Sequence, residues 1–163
     1  MTRVLLSLTV AFAVLLPRSA QAQRADSVAV VAVAQALIRA ISTKDTALAR
    51  TTMLPGAIFA SVTDPEHPGS AARIKTDAAF YSSLPGVTEV LLERIWSPSV
   101  RFIGTSLAEV TAPYDFHIDG KFSHCGTDVF TLVRSAGAWR IASTSYTVQQ
   151  SGCAPSPLGP PKP

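Results

Sequence analysis

Apolar residues at Val30, Val31, Ala34, Leu37, Ile38 and Ile41 recur at spacings of three and four, the signature of one helix face. The pattern predicts an amphipathic helix beginning at Ser27, with Asp26 as its cap. A shorter helix is expected over Lys44 to Thr51, ending before Pro55-Gly56, and a short strand over Ala57 to Val62. Asp64 to Ser70 carries two prolines and a glycine and reads as a loop. Thr76 to Leu84 predicts a third helix, stopped by Pro85-Gly86. Beyond it the pattern turns to strands. Val87 to Ile103 is extended but interrupted at Ser97-Pro98-Ser99, where proline forces an edge or a bulge. Leu107 to Ile118 and Phe122 to Arg134 form a hairpin around Asp119-Gly120, and Ala138 to Gln149 is the last strand. Helices first and an antiparallel meander after them predict an α+β domain, with the helices on one face of a curved sheet.

The hairpin register decides which side chains share a face. A plain two-residue loop pairs Ile118 with Lys121 and mixes apolar and polar residues on both faces. A three-residue loop with a glycine bulge pairs His117 with Lys121. It gathers Val110, Ala112, Tyr114 and Phe116 with Phe122, His124, Gly126, Asp128, Phe130 and Leu132. A one-residue slip moves every side chain to the other face, so the bulged register is preferred. It turns Cys125 outward, and a four-residue connection after Arg134 puts Trp139 and Ile141 on the inner face beside Leu132.

The amino terminus changes the compartment. Met1-Thr2-Arg3 precedes an apolar stretch from Val4 to Leu16, and Ala20-Gln21-Ala22 offers small residues for a peptidase. Residues 1–22 therefore read as a signal peptide cleaved before Gln23, too short in its apolar run to span a bilayer. Residues 23–153 form the domain, and 154–163, with five prolines, a disordered or extended tail. The product is expected to be secreted or periplasmic, with no membrane span after cleavage. Of 14 basic residues, Arg3 and Arg18 leave with the leader, and 14 − 2 − 11 gives a net charge of +1. No basic cluster remains for nucleic acid. Two cysteines in an oxidising compartment predict a Cys125–Cys153 disulfide, and the spacing of His67, His117 and His124 suggests no metal site.

The stretch from Leu107 resembles the nuclear transport factor 2-like superfamily, which includes polyketide-cyclase-like proteins and ketosteroid isomerases. Ala108-Glu109-Val110, Tyr114-Asp115-Phe116, Asp119-Gly120, Thr127 to Arg134 and Gly137-Ala138-Trp139-Arg140-Ile141 carry the resemblance. It implies a cone-shaped sheet with helices over its concave face, a pocket between them and frequent homodimers. It implies no single activity and carries over no catalytic motif.

On the expected inner face, Tyr114, His124 and Asp128 are the polar groups among apolar ones. Asp128 in an apolar pocket has the raised pKa that a general base needs, so Asp128 and His124 are the candidate catalytic pair. Trp96 and Tyr81 are candidate pocket walls. Each has a plainer role: Tyr114 and His124 as a cross-strand pair, Asp128 as an ion pair with Arg101 or Arg134, and the aromatics as core. Asp115 and His117 are expected on the outer face in solvent. No dinucleotide, P-loop or serine-elbow motif is present, so no cofactor is expected. The expected partner is a small apolar molecule, with an acid–base isomerase, cyclase or dehydratase as the alternative. A third reading is dimerisation through the outer stripe Val129, Thr131 and Val133.

Overall fold

The structure, a computed structural model, describes residues 18–63 and 72–161, with side chains from residue 22 onward. The expected leader up to Pro17 and the Asp64–Ser70 loop lie outside the described residues. Among the described residues, three α-helices, α1 (Arg18–Thr43), α2 (Thr46–Thr52) and α3 (Asp77–Ser83), accompany seven strands. These are β1 (Met53–Thr63), β2 (Arg73–Thr76), β3 (Leu91–Ile95), β4 (Ser99–Ile103), β5 (Leu107–Ile118), β6 (Lys121–Ser135) and β7 (Ala138–Val148). They form one curved sheet in the order β2-β1-β7-β6-β5-β3, with β4 also on β5. The expected α+β class holds. All strand pairs are antiparallel except β1 with β7, which run parallel because α3, the β2 hairpin and the meander intervene.

Helix α1 carries Val30, Ala34 and Leu37 fully buried against the sheet, where Ala108, Val110, Phe130, Leu132 and Ile141 are fully buried too. Burying side chains such as Leu37 stabilises by about 1.5–3 kcal/mol each. The segment Ala22–Thr43 is apolar and long enough to cross a membrane, but this buried stripe makes it the core helix of the domain. Asp26 does not cap it, because the helix already runs from Arg18. Instead its carboxylate pairs with Arg134 and accepts from Trp139 Nε1 at 3.3 Å, tying α1 to the far end of β6 and β7. The true caps lie further on. Asp45 accepts from the Leu48 amide at 2.8 Å to start α2, and Thr76 from the Ala79 amide at 3.2 Å to start α3.

The extended stretch before β5 splits at Ser97, whose φ of +44° turns the chain before Pro98. The two halves, β3 and β4, both pair with β5. The hairpin combines features of both expected registers. Asp119 and Gly120, at φ +50° and +74°, make a two-residue turn of the type that Asp-Gly favours, with Ile118 opposite Lys121. The bulge comes at Ser123, so that Phe116 pairs with His124, Tyr114 with Gly126 and Ala112 with Asp128. The bulge restores the expected sorting of faces from His124 onward, and Phe122 alone goes the other way. It stands on the outer face, edge-on to His117 at 5.8 Å. Trp139 lies opposite Arg134 as expected, and Trp139 and Ile141 are buried with Leu132.

Cys125 faces outward and is bonded to Cys153, with the two Cα atoms 6.2 Å apart. Cys125 and Gln149 also exchange backbone hydrogen bonds of 2.9 and 2.8 Å, which hold the chain beside β6 just before it turns back. Residues 154–161 have no regular structure and lie along the outer face, where Arg94 Nη1 donates to the Gly159 carbonyl at 2.9 Å. Beneath them, Asp115 and His117 are buried, not solvent-exposed. Arg94 donates to both Asp115 oxygens, at 2.8 and 2.5 Å. Burial raises the Asp115 carboxyl, but the hydrogen bond and charge of Arg94, with a contribution from His117, outweigh it and hold that pKa low.

Candidate functional site

Between the concave face and helices α1 and α3 lies a cavity of about 370 Å³. Its walls are apolar: Leu37, Ile38 and Ile41 from α1, Phe80 from α3, and Phe59, Phe116 and Phe130 from the sheet. The alternation of β5 and β6 aims even-numbered residues inward, and α1 crosses them with the stripe already visible in the sequence. Tyr114, His124 and Asp128 all line this cavity. Trp96 and Tyr81 do not: Trp96 follows β3 at its edge, and Tyr81, on α3, is buried beneath the Arg50 guanidinium at 4.0 Å.

Each of the three inner polar residues has a definite partner. Tyr114 donates through its hydroxyl to the Thr147 carbonyl at 2.7 Å, and burial pushes its pKa up, with Asp128 adding to the rise. His124 stacks on Phe116 at 5.0 Å and meets Tyr114 edge-on at 5.7 Å, while its Nδ1 lies 3.0 Å from Ser123 Oγ. Burial lowers its pKa, so the imidazole is neutral at neutral pH. Asp128 meets neither Arg101, which pairs with Glu109, nor Arg134, which pairs with Asp26. Its neighbour is the carboxyl of Glu93, reaching across from β3.

Glu93 is the residue that the sequence reading overlooked. It stands between Leu91 and Ile95 on β3, all three at alternate positions, and its two apolar neighbours pack against the core. An acid flanked at i−2 and i+2 by core residues on a strand shares their face, and that was the available signal. Burial raises the pKa of Glu93 well above the ordinary carboxylate range, and the charge of Asp128 raises it further. Burial likewise raises Asp128, to about 7, partly offset by its hydrogen bond with Glu93. Two close carboxyls in an apolar site cannot both ionise cheaply, so the pair titrates as a unit above the ordinary carboxylate range. No amide or hydroxyl among the described residues reaches Asp128 Oδ2, and Thr144 Oγ1, two positions along β7 from Asp128's pairing partner Tyr146, also lacks a partner among them. Both residues are almost fully buried.

The raised carboxyls set a pH dependence of stability. Unfolded Asp128 releases its proton near its ordinary value of 3.8, whereas folded it does so near 7. Between these values the native state holds the extra proton, so stability falls as pH rises through the window and is lowest above it. Asp128→Asn is expected to flatten this slope and to exceed the wild type at pH 8 by about 1–3 kcal/mol. Urea midpoints from pH 5 to 8 check it. The Arg94-bound Asp115 acts with the opposite sign and in a lower window: its stabilisation is lost as pH falls below the ordinary carboxylate range.

Among the described residues, no group of three or more His, Cys, Asp or Glu side chains is placed to hold a metal ion. No family model matches the chain, and no curated protein matches it. Solved structures do. One is an NTF2-like protein of unknown function from Shewanella baltica, 18% identical, with a TM-score of 0.57 over 78% of this chain and 97% of that one. Another is an NTF2-like protein with a cystatin-like fold from Novosphingobium aromaticivorans, 14% identical, with a TM-score of 0.65 over 84% and 90%. A third, from the same organism, is assigned as the beta subunit of an aromatic-ring-hydroxylating dioxygenase; it is 16% identical, with a TM-score of 0.65 over 87% and 99%. The chain has the NTF2-like, cystatin-like fold.

Proposed function

We propose that the protein is an exported domain that binds a small, largely apolar molecule in the cavity between sheet and helices. The observation that carries this reading is a partly open space of about 370 Å³ with aromatic and aliphatic walls and, deep in it, polar atoms of Asp128 and Thr144 that find no amide or hydroxyl partner among the described residues. Ligand sites have this form: apolar surface for affinity, and a few placed polar groups for orientation. The likeness to a dioxygenase beta subunit shows the fold and leaves the ligand open. Ser61 lines the cavity from β1, and Ser61→Trp would fill part of it. Titration calorimetry against small aromatic and alicyclic compounds should find ligands that the wild type binds and Ser61→Trp binds at least ten-fold more weakly. A panel that binds neither protein overturns the reading.

Export rests on the amino-terminal pattern and the disulfide. Intact-mass measurement of protein from the extracytoplasmic fraction should give a chain beginning at Gln23.

A second reading, favoured by the close Glu93–Asp128 carboxyl pair and its raised pKa values, is acid–base catalysis. Asp128, with a pKa near 7, would take a proton from carbon next to a carbonyl, and Glu93 would hold the exchanging proton. Deuterium exchange into enolisable ketones, faster with the wild type than with Asp128→Asn by at least a hundred-fold, is the expected result. Equal rates reject it.

A further inference from the structure

The cavity has two electrically different ends. Its acidic end is the Glu93–Asp128 pair, on strands β3 and β6, with the unpartnered Thr144 hydroxyl beside it. Its other end is formed by Arg73 and Lys75, on the exposed edge strand β2. In sheet order, β1 and β7 separate β2 from β6. Three strand spacings are about 14 Å in a flat sheet and less across a curved one. Alternate residues of one strand share a face, which places Arg73 and Lys75 together at the rim. Ser83 Oγ lies 3.2 Å from Lys75 Nζ and tethers that cation near the opening. Tyr146, on β7, stands between the two ends. Burial mainly raises its hydroxyl, Ser61 lowers it by a hydrogen bond, and it feels the acids of Glu93 and Asp128 on one side and the cation of Arg73 on the other.

We infer that the cavity takes a dipolar ligand: a small aromatic carboxylic acid with its carboxylate at Arg73 and Lys75 and a hydroxyl or amino donor at Asp128 and Thr144. The inference deepens the ligand-binding reading and rests on it. Phe59 and Phe80, packed on each other with centroids 4.6 Å apart, and Phe116 and Phe130 give the cavity aromatic walls for a ring to pack against. Asp128 Oδ2 and Thr144 Oγ1 receive no hydrogen bond from an amide or hydroxyl among the described residues, and the inner donor supplies one; a site whose buried polar atom is left unpaired by an analogue rejects that analogue strongly. The outer carboxylate meets two cations at a rim open to solvent, so its contribution is smaller and screened by salt.

Three probes separate the terms by calorimetry: 4-hydroxyphenylacetate, phenylacetate, which lacks the donor, and 4-ethylphenol, which lacks the carboxylate. The wild type should bind the first at least ten-fold more tightly than phenylacetate and three- to ten-fold more tightly than 4-ethylphenol. The second ratio should shrink at 0.5 M NaCl. The double variant Arg73→Gln/Lys75→Gln changes only exposed edge residues. It should keep the affinity for 4-ethylphenol and lose the advantage of 4-hydroxyphenylacetate over it. Equal affinities among the three probes, or an unchanged preference in the double variant, overturn the dipolar assignment while leaving an apolar pocket in place. Failure of all three to bind, 4-ethylphenol included, removes the ligand-binding reading as well.

Discussion

Gly126→Ala is expected to cost about 3 kcal/mol or more, or to prevent folding, although it adds a single methyl group. A Cβ at Gly126 would lie 2.0 Å from the Thr147 carbonyl oxygen and 2.8 Å from its carbon, both backbone atoms. Thr147 has little freedom to retreat. Its carbonyl accepts from Tyr114 at 2.7 Å, and its hydroxyl accepts from the Thr127 amide at 3.0 Å. One residue before Gly126, Cys125 is locked by its disulfide and by two backbone hydrogen bonds to Gln149. The clash therefore falls on a junction held from three sides, and relief must break a hydrogen bond or shift β7. For a domain of this size the loss corresponds to a fall in Tm on the order of 10 °C. Gly86→Ala is the control: nothing lies within 4 Å of its Cβ position, and the expected change stays within about 0.5 kcal/mol. Comparable urea midpoints for the two variants would show that β7 yields easily here.

Removal of the Cys125–Cys153 bond, by reduction or by the double change to serine, is expected to cost roughly 3–4 kcal/mol. The bridge spans a sequence separation of 28, and the entropy of that loop in the unfolded chain supplies the figure. A local consequence should accompany the global one. The tail beyond Cys153 is held by few contacts besides the bridge, among them Arg94 to the Gly159 carbonyl. Once cut loose, it should leave Asp115 and His117 open to solvent, and hydrogen exchange in β5 and β6 beneath the uncovered outer face should rise before unfolding. Denaturation with and without reductant gives the first effect, and exchange under native conditions the second. A midpoint that does not move on reduction would mean that packing alone secures the tail.

Much of this architecture was legible residue by residue. The stripe from Val30 to Ile38 placed α1 on the sheet, and the alternation from Ala108 to Tyr114 gave the inner face of β5. The cysteine pairing followed from compartment and direction. Tyr114, His124 and Asp128 were recognisable as inward polar groups, because a polar side chain in a buried alternating register is conspicuous. The hairpin tip was harder. Asp119-Gly120 favours a two-residue turn, while the faces sort only after a one-residue slip; Ser123 reconciles them by bulging. Local turn preference and global burial acted at different residues, and no local window contains both.

The sequence by itself determined the α+β order, the faces of the long strands and the chemical types that enter the cavity. These follow from periodicity and composition, which act over a few neighbouring residues. Only the tertiary structure decided which of those groups meet. Asp26 left its capping role to pair with Arg134 and Trp139, because the helix extends beyond it. Asp115 and His117 became buried because a tail 37 or more residues further along the chain folds over them. Glu93 and Asp128 meet because a curved sheet carries β3 over the face of β6 with β5 between them. Contacts between residues 35 positions apart depend on sheet order and curvature, and neither is written in the spacing of either residue's neighbours.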